Sequence, residues 1–121
     1  MICVDVSSRI LQGPRDRTVY NGSTVNFHCT SDKLTDIYWR YKTAAMRSSV
    51  FIFGHRGRND KLFGERFVKT VRNSNSTLTI HDVRNSDAGS YFCLESTSES
   101  YWSAQLTVIG QYKIIASTFF C

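Results

Sequence analysis

The chain has 121 residues and a net charge of +5, a length that suits one domain with a buried core. Four cysteines and one proline, among many serine, threonine and aromatic residues, are typical of an extracellular all-β module and argue against a cytosolic enzyme. No stretch approaches the roughly 18 apolar residues of a membrane helix, and the start lacks the segments of a signal peptide. We therefore expect an ectodomain whose signal peptide has been removed, placed on the extracellular side of the plasma membrane or secreted. The positive charge favours acidic partners, or is simply that of a soluble surface.

Apolar and polar residues alternate in three segments along the chain. Val25, Phe27 and Cys29 alternate with polar neighbours, and the same period recurs at 78–80 and 106–108. Turn-forming residues separate these segments, at positions 20–23, 73–76 and 84–87. Short strands at this spacing predict an all-β sandwich of two sheets.

A Cys–Trp–Cys pattern runs through the same region. Cys29 is followed by Trp39 and then by the run Asp-Ala-Gly-Ser-Tyr-Phe-Cys at 87–93. The pattern resembles the immunoglobulin superfamily over about residues 19–108. The resemblance implies a Greek-key sandwich in which a Cys29–Cys93 bridge packs against Trp39 and the Tyr91 hydroxyl reaches back to the preceding turn. In the chain-entropy model a bridge that closes a loop of this length stabilises the fold by roughly 4 kcal/mol.

The middle of the chain resembles the variable type (V-set) of this superfamily. Positions 40–92 leave room for two additional edge strands, which we expect at 50–53 and 62–63. The segment Gly-Glu-Arg-Phe at 64–67 is similar to the V-set segment whose arginine pairs with the aspartate of the second cysteine motif. That similarity implies a structural ion pair between Arg66 and Asp87. We assign residues 1–109 to the V-set domain and residues 110–121 to a C-terminal tail or stalk.

The V-set resemblance implies that three loops, at 30–37, 54–61 and 94–102, cluster at one end of the sandwich. The second loop is basic and glycine-containing, and the third combines serines with two adjacent aromatic residues, a composition suited to protein binding. We predict a ligand site on these loops, formed by Arg56, Arg58, Lys61, Glu99, Tyr101 and Trp102. The alternative is that the charges are only solvated and that Trp102 covers the edge of the sandwich.

A second predicted interface is the outer face of one sheet. Its members share an outward position in the V-set framework and are Tyr38, Arg40, Lys42, Phe51, Phe53, Phe92 and Leu94. The chain lacks the Phe-Gly-x-Gly motif of rearranged antigen receptors, and it has cations where those receptors carry an aromatic residue and a glutamine. It therefore resembles a germline V-set receptor, and Tyr-Trp-Ser at 101–103 is similar to the V domain of T-cell co-receptors.

The resemblance implies the ligand-binding ectodomain of an immune cell-surface receptor. Its partner would be a histocompatibility class I protein or another immunoglobulin-like surface protein, and a homodimeric co-receptor is the most specific form of this prediction. A homophilic or heterophilic cell-adhesion V domain is the alternative, and a structural spacer is a third interpretation.

Catalysis, metal binding, cofactors and small-molecule substrates are not expected. His28, His55 and His81 lie on separate segments, without metal-ligand spacing and without a carboxylate pair between them. The basic group at 56–61 is too small to form a nucleic-acid-binding stripe. The sequence predicts neither an enzyme nor a nucleic-acid-binding protein.

Two further cysteines and two glycosylation sequons have no part in the interfaces predicted above. Cys3 and Cys121 lie outside the matched region, and we expect a bridge within one chain, with a link between two chains as the alternative. The sequons begin at Asn21 and Asn75. We expect both on turns far from the recognition loops, so that glycans there would leave binding free.

Overall fold

The computed structural model describes residues 10–31, 36–95 and 100–110. These residues form β-strands and one short 3₁₀ turn, Asn85–Asp87. The strands are β1 (Ile10–Gln12), β2 (Arg17–Tyr20), β3 (Val25–Ser31), β4 (Ile37–Lys42), β5 (Val50–Gly54), β6 (Gly57–Arg58), β7 (Phe67–Arg72), β8 (Asn75–Ile80), β9 (Gly89–Glu95) and β10 (Tyr101–Ile109).

The strands form two sheets. One has the order β1-β3-β8-β7, and the other has the order β2-β10-β9-β4-β5-β6. All pairs are antiparallel except β2 with β10. Successive strands β3 and β4 belong to different sheets, so the chain crosses between them as a Greek key does. The predicted all-β immunoglobulin V-type sandwich is confirmed.

A disulfide joins the two sheets through the core. Cys29 on β3 and Cys93 on β9 are bonded at 2.05 Å, as the resemblance implies. Trp39 lies opposite Cys93 in the β4–β9 ladder, and its indole N–H donates to Ser76 Oγ at 2.9 Å. Ser76 in turn lies opposite Cys29. The fully buried indole therefore reaches from one sheet to the other beside the bridge.

The second additional edge strand is not at 62–63, so that prediction was wrong. The strand is β6, which pairs Gly57 and Arg58 with the end of β5. The Asn59 N–H still bonds to the Ile52 carbonyl, and the Asn59 carbonyl then accepts the N–H groups of residues 62 and 63. This turn ends the ladder and directs Phe63 into the core.

A β-bulge in β5 changes which side chains face outward. Trp39 pairs with Phe53 while the next residue, Arg40, pairs with Phe51, so Ile52 is the extra residue. Ile52 and Phe53 are consequently both buried, and Phe53 is only 8 % exposed. The prediction that Phe53 belongs to the outer face was wrong, because strict alternation does not continue through the bulge.

The base of the sandwich is closed around the 3₁₀ turn. Arg66 pairs with the largely buried Asp87, and the Tyr91 hydroxyl donates to the Asp87 carbonyl at 2.5 Å. The Tyr41 hydroxyl donates to the Ala88 carbonyl at 2.6 Å. Burial, with the nearby Asp87 charge, raises the pKa of both tyrosines, and the hydrogen bond to Asp87 raises the pKa of Arg66. Neither the tyrosines nor Arg66 therefore change their charge near neutral pH.

The strand ends that flank the three predicted loops lie at the end of the sandwich opposite to the base; we call this the loop end. Ile37 pairs with Glu95 there, and the β5–β6 turn follows Gly54 at the same end. The β7–β8 turn shares this end, because the Ser31 N–H bonds to the Ser74 carbonyl. Asn75 is therefore the first residue of β8 at the loop end and not on a distant turn, so its predicted place was wrong.

Candidate functional site

Outward side chains of the six-stranded sheet form an aromatic patch. One row across the strands consists of Tyr101, Leu94 and Tyr38, and the next contains Phe92, Arg40 and Phe51. The rings of Tyr38 and Phe51 meet edge to face at 5.7 Å, and those of Phe92 and Tyr101 do so at 5.3 Å. We call this surface the aromatic face; its residues are Tyr38, Arg40, Phe51, Phe92, Leu94 and Tyr101.

Arg40 is held in place at the centre of the aromatic face. Its guanidinium carbon lies 4.1 Å from the centroid of the Phe51 ring, and Nη2 donates to the Ser49 carbonyl at 2.8 Å. The buried Nε has no hydrogen-bond partner within the described part of the chain. Lys42 is the next outward residue of β4, and within the described ranges its Nζ makes one hydrogen bond, to the Thr43 carbonyl at 3.3 Å. Arg40 is thus a fixed cation within the aromatic face, and Lys42 is an adaptable cation beside it.

Two rings of the aromatic face are exposed to solvent, and the other members of the face are partly buried. Phe51 is 37 % exposed and Tyr101 is 60 % exposed. Single exposed apolar residues are ordinary on a protein surface, but a contiguous group of rings with a polar rim is typical of a binding surface.

The outer face of the four-stranded sheet is different in character. Three cross-strand pairs of polar side chains bond to each other there: Asn26 with Thr79, His28 with Thr77, and Thr30 with Asn75. The described part of this face is therefore mainly polar, with Val68 and Val71 of β7 exposed at its edge and no pair of exposed aromatic rings. The contrast between the sheets points to the aromatic face as the recognition surface.

The model of the immunoglobulin V-set domain family matches residues 12–109. This chain belongs to the immunoglobulin V-set family. V-set domains are non-enzymatic modules that bind other proteins, and they are typically extracellular. No helix in the described ranges is long and apolar enough to cross a membrane.

The fold of this V-set domain is similar to that of titin immunoglobulin domains. The I9–I11 tandem from titin matches with a TM-score of 0.66 and 19 % identity over 86 % of this chain, which spans 34 % of the tandem chain. A complex of titin M10 with the obscurin-like 1 immunoglobulin domain matches with a TM-score of 0.62 and 19 % identity, over 87 % of this chain and 98 % of that one. At these identities the likeness shows the fold alone.

The structure separates the predicted loop residues of this V-set domain. Arg56 is exposed in the β5–β6 turn at the loop end. Arg58 is in β6, bonded to Asp60 at 2.8 Å and to the Phe67 carbonyl at 3.3 Å, so its guanidinium is occupied within the domain. Lys61 is exposed in the turn that leads to Phe63, and Glu99 lies outside the described residues. Arg56 and Lys61 are thus both exposed, but only Arg56 of the three predicted cations lies in the β5–β6 turn at the loop end.

Tyr101 and Trp102 do not form one cluster, although they are adjacent in sequence. Consecutive residues of β10 face opposite sides, so Tyr101 joins the aromatic face. Trp102 shares the inner side with Ala104 and packs against Gly13, where an added Cβ would lie 2.6 Å from the tryptophan Cβ. Trp102 is half exposed and packs at the sandwich edge, a placement consistent with the alternative interpretation, while its predicted ligand role remains a prediction.

Tyr101 is the member of the aromatic face that sequence reasoning assigned to another site. The signal for its correct place was the period of two in β10, where Ala104 and Leu106 are buried and Tyr101 and Ser103 are exposed. That period is informative only when the start of β10 is known. Because the predicted third loop runs to residue 102, it includes Tyr101, which is the first residue of the strand.

Proposed function

We propose that this V-set domain is the ligand-binding ectodomain of an immune cell-surface receptor, acting on the extracellular side of the plasma membrane or as a secreted form. It binds a protein partner through the aromatic face, with Arg56 and the adjoining loop end at the rim. The observation that carries this proposal is the group of aromatic side chains around Arg40, two of which, Phe51 and Tyr101, are exposed to solvent.

The composition of the aromatic face supports protein recognition. Tyrosine, phenylalanine and arginine are enriched in interface cores, and tyrosine and arginine are common where a few residues carry most of the binding energy. The rings are already fixed by their mutual contacts, and Arg40 is fixed by Phe51 and Ser49. A partner that binds these side chains therefore orders few free rotamers on association.

An immunoglobulin-like partner is the leading class, and a histocompatibility class I protein is included in the same proposal. Support comes from the titin M10 structure, in which an immunoglobulin domain of similar fold is in complex with another immunoglobulin domain. Cell adhesion between surface proteins would use the same face, so the identity of the partner distinguishes it from a receptor role.

A binding screen tests the proposal. The domain is presented as a multimer to a panel of recombinant ectodomains that includes immunoglobulin-like and histocompatibility class I proteins. Any partner is then measured against Phe51→Ser and Tyr101→Ser, and against the control variants Val68→Ser and Val71→Ser on exposed positions of β7 in the other sheet. We expect each face variant to weaken binding by at least about tenfold and the controls to have no effect. Partners that bind the face variants normally would contradict the proposal.

A further inference from the structure

We infer that the aromatic face takes a different protein that presents carboxylates, and not a second copy of this chain. This inference rests on the proposed function, and it disagrees with the homodimer expected from the sequence. It follows from the charges on and around the face.

The described charged groups on the central strands of the face are cationic. Arg40 and Lys42 project from β4, which lies between β9 and β5 within the six-stranded sheet. The carboxylates at the two edges of that sheet are engaged: Asp16 accepts the Gln105 N–H at 2.8 Å, and Asp60 pairs with Arg58. Glu95 is on β9 but is buried on the inner side.

Two copies that pack face to face would bring these cations together. A symmetric dimer places the same patch on both sides of a two-fold axis, and an axis through the aromatic face brings the central β4 strands of the two copies near each other. Each Arg40 would then be removed from water opposite another cation, with no described carboxylate on the central strands to compensate it. Like charges placed opposite each other in an interface disfavour that pairing.

A partner carboxylate would instead meet a prepared site. Stacking on Phe51 and the bond from Nη2 to the Ser49 carbonyl fix the guanidinium of Arg40, which is half-buried and makes no salt bridge with the described residues. Lys42 can adjust toward the same anion, because its ammonium makes one long hydrogen bond to the residues that the structure describes. Charge-assisted hydrogen bonds from a fixed arginine are stronger than neutral ones and impose geometry on the partner.

A variant of this chain with carboxylates on the face serves as an acidic partner of defined sequence for the wild-type protein. The double variant Arg40→Glu/Lys42→Glu carries the same rings around carboxylates. Sedimentation velocity is measured on wild type alone, on the variant alone and on their mixture, at low and at high salt. A second double variant, Arg72→Glu/Arg84→Glu, makes the same change in net charge away from the face and is the matched control. Lys42→Glu alone serves if the double variant does not fold, as judged by its thermal unfolding.

We expect wild type alone to stay monomeric over the concentrations measured. The mixture should associate with a dissociation constant at least about tenfold below any that can be assigned to wild-type self-association. High salt should weaken this association, and Phe51→Ser should abolish it. The control variant should not associate with wild type. Wild-type self-association as tight as that of the mixture would overturn the inference, and so would a mixture that stays monomeric.

The ectodomain screen separates this inference from the proposed function. A partner that needs Phe51 and Tyr101 but binds Lys42→Glu as tightly as wild type would overturn only the inference about charge. A partner that ignores Phe51 and Tyr101 would overturn the proposed function itself.

Discussion

Arg66 and Asp87 are joined by two hydrogen-bonded contacts, Nη1 to Oδ2 at 2.8 Å and Nη2 to Oδ1 at 3.1 Å. Arg66 Nη1 also donates to the carbonyl oxygens of His81 and Asp82, and the Arg84 N–H donates to Asp87 Oδ2. The pair thus ties the start of β7 to the end of β8 and to the 3₁₀ turn. Its role is to close the base of the sandwich.

Arg66→Ala should lower the free energy of unfolding by about 2–4 kcal/mol, because it leaves the buried Asp87 carboxylate without its cation. Arg66→Lys should recover only part of the loss, since lysine lacks the planar fork. Urea unfolding followed by tryptophan fluorescence measures both, with Arg56→Ala as an exposed control that should change stability by less than about 0.5 kcal/mol. Equal stability of Arg66→Ala and wild type would contradict a structural role for the pair.

Stability should fall in alkali. Burial raises the pKa of Tyr41 and Tyr91 above the value near 10 that tyrosine has in an unfolded chain. Above pH ~10 the unfolded state loses these protons while the folded state keeps them, so the free energy of unfolding decreases as pH rises. Urea titrations at a series of pH values should show this slope in wild type, and Tyr91→Phe should reduce it while costing roughly 1–2 kcal/mol at pH 7. An unchanged slope in Tyr91→Phe would refute the assignment to this tyrosine.

Gly89 stands at a position that a side chain cannot occupy without strain. Its φ is +147°, and an added Cβ would lie 2.9 Å from both the Lys42 carbonyl oxygen and a Tyr41 ring atom. We expect Gly89→Ala to destabilise the domain by about 2–3 kcal/mol. Gly64→Ala is the control, because nothing lies within 4 Å of a Cβ there, and it should have little effect on the melting temperature. A Gly89→Ala variant as stable as the control would sink this account.

Phe51 and Phe53 offer a direct test of the bulge. Phe53→Ser should cost about 3–5 kcal/mol, because it leaves a cavity and a hydroxyl in the core, whereas Phe51→Ser should cost much less. Thermal and urea unfolding of the two variants decide the matter. Similar losses for both would mean that the two rings are equally buried and that the bulge is absent.

The sequon at Asn75 remains a prediction, now with a different consequence. Asn75 is exposed, and its Oδ1 accepts the Thr30 hydroxyl, an arrangement that leaves the amide nitrogen for a glycan. A glycan there would cover the loop end on the side of the four-stranded sheet and leave the aromatic face open. Protein from a secreting animal cell line should carry it by peptide mapping, with Asn75→Gln as control. An unmodified Asn75 peptide would show that the sequon is not used.

Much of the fold was predictable, because the evidence for it is local. The period of two predicted the buried side of β3, and the resemblance to the immunoglobulin superfamily implied the bridge between Cys29 and Cys93. The errors arose where a non-local contact decides the outcome. The bulge at Ile52 depends on how β5 pairs with β4, and the end of β6 depends on a bond from Asn59 back to Ile52.

The candidate site was predicted in part for the same reason. The outward residues of β4 and β9 followed from alternation, whereas Tyr101 joined them only once the start of β10 was known. Arg58 is bonded to Asp60 and to the Phe67 carbonyl. These contacts depend on the path of the chain after β6, so the sequence alone does not show that Arg58 is engaged within the domain. The predicted domain limits and the pairing of Cys3 with Cys121 involve residues outside the described ranges and remain predictions.

The shortness of β6 limits how a partner can bind at this edge of the six-stranded sheet. Two residues at the sheet edge, followed at once by a turn, offer an incoming chain too few main-chain groups to add a strand of its own. At this edge a partner is therefore read by side chains on the face beside it. Exchanging a handful of those residues could change the partner while the backbone hydrogen bonds of the sandwich are kept.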